Sequence, residues 1–128
     1  MSLVLRLLDG ELAILQLPPD AAAHEWLNLR AKPLVSVTRT ADELSVVCPL
    51  SEVPAGMACE AGWRAFVVEG KQDFSAVGIL SRILSPLADA SISIFSISTF
   101  DTDYILVRID VLEKARSVLR EHFQLLEA

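Results

Sequence analysis

The chain has 128 residues, with 17 acidic side chains against 11 basic and a formal net charge of −6. That balance argues against a reader of the nucleic-acid backbone, which carries a basic patch. Hydrophobic residues at 52% and charged residues at 22% argue against a disordered tail. No unbroken apolar run exceeds four residues, far short of the roughly 20 that a membrane-spanning helix needs. Arg6 breaks the first apolar stretch before a signal-peptide core could form, so a soluble, cytoplasmic protein is expected.

In chain order, residues 3–8 and 11–17 flank Asp9-Gly10, the pattern of two strands joined by a hairpin turn. Pro18-Pro19 stops the second strand, and Asp20 can cap a helix over 21–29 with Ala23, Trp26 and Leu27 on one face. Strands are predicted over 34–39 and 44–48 around a polar turn, then a Pro- and Gly-containing loop over 49–62. A strand over 63–69 leads through a polar loop to a helix over 75–88, where Leu80, Ile83, Leu84 and Leu87 keep helical spacing and Pro86 kinks or closes the end. Residues 91–98 suit a strand buried on both faces, and 104–109 form another. Asp110 with Glu113 resembles a capping box ahead of a helix ending near Glu121, with a last strand over 123–126.

From Trp63 onward the order is βαββαβ, the ferredoxin-like arrangement. Residues 36–47 match 96–107 at a constant offset of 60, with small hydroxyls, an acid and apolar residues in register. The predicted fold class is therefore α+β, two ferredoxin-like units in tandem, 1–62 and 63–128, the first degenerate after Val47. Each sheet has one face for helices, so side-by-side pairing of units is expected.

The segments Val35 to Ser45 and Ile92 to Val107, with their Ser98-Thr99-Phe100-Asp101-Thr102-Asp103 core, resemble the tandem ACT-domain proteins. Within them they are most similar to the small bacterial members related to the cytosolic arginine sensors. The resemblance implies two ACT-like domains that bind an amino acid where ACT units pair, without catalysis, in a homodimer that can regulate a protein partner. It assigns ligand contacts to Thr99, Phe100 and Asp103 and to the loop Asp73, Phe74, Ser75 and Ala76. Thr38, Arg39, Thr40 and Glu43 are the equivalent second site, with Glu43 in the place of Asp103.

The chemistry of these residues suits a free amino acid. Its carboxylate and ammonium must both be satisfied if buried. The helix start near Ser75 offers free N–H groups to the carboxylate, Asp103 an acceptor to the ammonium, Thr99 a hydroxyl and Phe100 a wall. The alternative is a ligand-free dimeric adaptor, favoured by the lack of glycine in Phe74-Ser75-Ala76 and of charge at Ala76. Asp101 and Asp103 also suit plain turn residues, and Asp110 a helix cap. No cofactor or metal is expected: Cys48 and Cys59 lie at no ligand spacing from His24 or His122, and no glycine-rich phosphate loop occurs. An enzyme is not expected either, since no serine sits in a Gly-x-Ser-x-Gly elbow and both histidines suit surface or structural roles.

Overall fold

A computed structural model describes residues 3–70 and 77–127. The strands are β1 (Val4–Leu7), β2 (Leu12–Leu17), β3 (Ser36–Arg39), β4 (Leu44–Pro49), β5 (Glu60–Val68), β6 (Phe95–Ser98), β7 (Asp103–Arg108) and β8 (Gln124–Glu127). The helices are α1 (Ile79–Asp89) and α2 (Leu112–His122), with single 3-10 turns at Ala23–Glu25, Leu50–Glu52 and Ile109–Val111. The chain divides into two compact units: Gly10–Trp63, and Met1–Asp9 with Arg64–Ala128.

In the second unit the strand order is β6-β7-β5-β1-β8. From β5 onward the element order is βαββαβ, as read from the sequence, and the fold class is α+β and ferredoxin-like. One addition was not foreseen: β1 lies between the first and last strands of that unit. It pairs antiparallel with β5 (Leu5↔Val68, Leu7↔Phe66) and parallel with β8 (Val4↔Gln124, Leu7↔Glu127). The physical reason is the alternation of Leu3, Leu5 and Leu7, all buried in the same core as Phe66, Val68, Ile83, Leu87, Ile105, Val107, Ala115 and Leu119. The expected boundary 1–62 assigned this strand to the other unit.

The hairpin at Asp9-Gly10 does not form. β1 takes its partners from Phe66–Val68, and β2 pairs with β4 and with Trp63 and Glu60. Gly10 has φ +102°, and a Cβ there would stand 3.4 Å from Pro33 Cδ, so the dipeptide bends the chain without reversing it into a ladder. At the irregularity between Leu12 and Ile14, the Glu11 carboxylate accepts a hydrogen bond from the Gly62 N–H at 2.9 Å.

The first unit contains β3-β4-β2 and the start of β5, around a core of Ala13, Leu15, Ala23, Leu27, Leu44, Val46 and Cys48. The helix expected over 21–29 is one 3-10 turn. Its N-cap is Ala22, with no side-chain cap bond, and it closes at Trp26; beyond it the Asn28 side chain accepts the Arg30 N–H at 3.0 Å, while the Asn28 N–H donates to Glu52 at 3.3 Å. Local side-chain bonds of this kind compete with helix continuation, and so short a helix has little cooperative support.

Three further expectations change in the second unit. α1 begins after Gly78, which takes a left-handed φ of 78°, and Pro86 lies inside it with the helix running on to Asp89. β6 is four residues long and pairs only with β7 among the described residues, so it is an edge strand. The preceding chain turns at Ser91, with φ 60°, to send Ile92 into the core. Asp110 sits in the 3-10 turn before α2, and the residue capping α2 is Val111, with no side-chain cap bond.

The internal repeat is real in geometry but its register differs by one residue. Ser36↔Val47 and Arg39↔Leu44 in one unit answer to Phe95↔Leu106 and Ser98↔Asp103 in the other, an offset of 95 − 36 = 59. The 3-10 turns at Leu50–Glu52 and Ile109–Val111 obey the same offset. Core-facing Leu44, Val46 and Cys48 therefore match Asp103, Ile105 and Val107. Glu43 matches Thr102, not Asp103.

Candidate functional site

In the second unit Thr99, Phe100 and Asp103 lie at the turn from β6 to β7. The last rung of that ladder pairs Ser98 with Asp103, and the Ser98 hydroxyl donates to Asp103 Oδ1 at 2.5 Å. Strand alternation puts Asp103 on the sheet face of Ile105 and Val107, the face that carries the core. Asp103 is half-buried there, and a carboxylate with one lone pair engaged keeps acceptor capacity for a cationic group.

Thr99 is largely occupied by the turn itself. Its N–H donates to the Thr102 carbonyl at 2.8 Å, and its hydroxyl donates to the same oxygen at 3.2 Å. The hydroxyl also lies 3.3 Å from the Thr102 N–H, a geometry in which it accepts. Phe100 stands at the tip, 78% exposed. Thr102 belongs to the same sequence motif without being assigned a ligand contact, and it makes the link between turn and sheet: its hydroxyl donates to the Val68 carbonyl at 2.7 Å. That bond fastens the turn to the end of β5, where the segment entering α1 begins. Asp73, Phe74, Ser75 and Ala76 lie outside the described residues.

The four residues of the equivalent turn in the first unit do not converge. Thr38 faces Ser45 across the ladder, on the sheet side opposite Arg39 and Leu44. Thr40 holds the turn, accepting from the Asp42 and Glu43 N–H groups at 3.1 and 3.2 Å. Glu43 accepts from Gln16 Nε2 at 3.2 Å, and Arg39 donates to the Ala21 carbonyl at 3.3 Å. The last rung thus carries an acid in one unit (Ser98↔Asp103) and a base in the other (Arg39↔Leu44). The signal for this was present in Thr40-Ala41-Asp42 and Thr99-Phe100-Asp101, which superpose only at the shorter offset.

Outside these turns, Cys48 and Glu127 are shifted from their ordinary values. Burial pushes the Cys48 thiol up to about 11, with Glu52 and Cys59 adding to the rise. A hydrogen bond from Arg116 holds Glu127 below the usual carboxylate range, and Arg120 reaches the same oxygen at 2.5 Å. Among the described residues no group of three or more His, Cys, Asp or Glu side chains could hold a metal ion. No helix among them is long and apolar enough to cross a membrane.

Known proteins agree with this architecture. The ACT domain family matches residues 58–121, and a family describing an N-terminal domain matches 10–56. Protein Atu0741 of Agrobacterium tumefaciens is 36% identical, with a TM-score of 0.90 over 100% of this chain and 95% of that one. The regulatory subunit of aspartate kinase from Thermus thermophilus shares the fold, with a TM-score of 0.58 at 12% identity over 89% of this chain and 92% of that one. CASTOR3P of Homo sapiens is 34% identical over 85 residues, 56% of this chain, which spans about half (52%) of that relative's length. With half its length matched by the family and one relative alike from end to end, the chain belongs to the ACT-domain proteins.

Proposed function

We propose that this protein is a non-catalytic, cytoplasmic regulatory protein that binds a free amino acid. Asp103 receives the ammonium, Thr99 and Phe100 border the ligand, and the segment Asp73, Phe74, Ser75 and Ala76 supplies N–H groups to the carboxylate, in a seam between paired ACT units of a homodimer. The observation that carries this reading is the half-buried Asp103 carboxylate at the rung where the Thr102–Val68 bond joins turn and strand. The fold shared with a regulatory subunit of aspartate kinase fits a regulatory role, which this reading places on a protein partner.

A panel of the twenty amino acids in thermal unfolding tests this. A ligand at about 100 times its Kd stabilises the folded state by roughly 2.7 kcal/mol. One amino acid should raise the melting temperature of the wild type and fail to do so for Asp103→Asn. A second reading, a ligand-free dimeric adaptor, draws on the Ser98 hydroxyl already bonded to Asp103 and on the exposure of Phe100. It takes over if no amino acid shifts the transition at millimolar concentration.

A further inference from the structure

The first unit contains a hollow that the amino-acid reading leaves unused. Where the second unit lays α1 over its sheet and buries Ile83 and Leu87, the first has only the 3-10 turn Ala23–Glu25 followed by irregular chain. An open cavity of about 300 Å³ remains between that segment and the edge strand β3. Its apolar lining includes Leu27 and Leu44 from the core, Leu29 from the irregular chain and Val37 from β3. Val37 lies opposite Val46 on the core side of the sheet, yet it is 44% exposed because no helix covers it.

One charged side chain lines this cavity. Arg39 alternates with Val37 on the same face, and its guanidinium donates one bond to the Ala21 carbonyl at 3.3 Å. A guanidinium has five N–H donors, so Arg39 keeps capacity for a bidentate contact with a carboxylate. The imidazole of His24 also lines the space. No acidic side chain does, so an ammonium group would find no anionic partner. The volume falls at the lower end for small-molecule pockets.

We propose that this cavity binds a small branched aliphatic monocarboxylate, its anion held by Arg39 and its hydrocarbon lying against Leu27, Val37 and Leu44. The site is separate from the turn at Asp103 and selects by the opposite charge: an anion without an ammonium. The proposal stands whether or not the second unit binds an amino acid.

The test is a titration of the full chain, methyl-labelled at Ala, Leu and Val, with isovalerate, isovaleramide and leucine, followed by NMR. Isovalerate should shift the Leu27, Val37 and Leu44 methyl signals and saturate in the millimolar range. Arg39→Gln, at an exposed edge position, should keep the spectrum of a folded chain and weaken isovalerate by about tenfold or more. Arg39→Lys should recover part of that loss, because it restores the charge without the fork. Isovaleramide and leucine should each bind about tenfold more weakly than isovalerate. The proposal is overturned if isovalerate gives no saturable shift, if its shifts lie outside the cavity, or if Arg39→Gln, the amide or leucine matches wild-type binding of the acid.

Discussion

The Thr102 hydroxyl donates a 2.7 Å hydrogen bond to the Val68 carbonyl, joining residues 34 apart in sequence. Thr102→Val keeps the side-chain shape and leaves that half-buried carbonyl without its donor. The expected cost is about 1–2 kcal/mol, read by urea denaturation, with faster amide exchange at Thr99. A variant as stable as the wild type would show that the turn is held in place by something else.

The two helices of the second unit are fixed by their buried faces. Leu119 and Ile83 are fully buried in one core, so Leu119→Ala should cost about 2–5 kcal/mol in chemical denaturation. Leu29→Ala, at a position 70% exposed, should stay within about 0.5 kcal/mol of wild type.

Acid should act on the ion cluster at the end of α2. Glu127 is held below the usual carboxylate range by its hydrogen bond from Arg116, so its charged form favours the folded state. That contribution is present above the ordinary glutamate value of about 4.3 and fades as the pH falls to the lowered folded value. Glu127→Gln should therefore lower the melting temperature slightly at neutral pH and leave it unchanged in acid. All three groups are solvent-accessible, so the effect is small and should shrink further in high salt.

Alkali should act on Cys48. Its thiol is fully buried and is pushed up to about 11 from an ordinary value of 9.0. The folded state thus keeps a proton that the unfolded chain releases, and stability from this group is lost as the pH rises through that window. Cys48→Ala should flatten the fall of the melting temperature between those values. In the native wild type, iodoacetamide should modify Cys59, which is partly exposed, well before Cys48.

The sequence made the second unit legible because its signals were clean: helical spacing at Leu80, Ile83, Leu84 and Leu87, and the unbroken apolar run from Tyr104 to Val107 in β7. The first unit was harder. Ala21 to Leu29 has the composition of a helix, but only one 3-10 turn forms, and the bonds made by Asn28 hold the chain beyond it in an irregular path. The repeat is visible in the sequence, but apolar and hydroxyl residues recur at many spacings, so composition alone does not separate an offset of 60 from the 59 of the ladder pairs. The difference of one residue puts Leu44, not Glu43, in the place of Asp103, and with it changes the charge character of the first unit. Arg39 was legible in the sequence only as a candidate contact for an amino acid, whereas the gap beneath it depends on a helix that does not form.

The place of β1 has a consequence for how the molecule is made. Its partners are β5 and β8, of which β8 leaves the ribosome more than a hundred residues later. One edge of this apolar strand therefore waits until β5 is made and the other until the end of synthesis, and such delayed pairing is slow and invites aggregation. A fragment spanning 63–128 would carry every helix of the second unit and still lack the strand that seats β8.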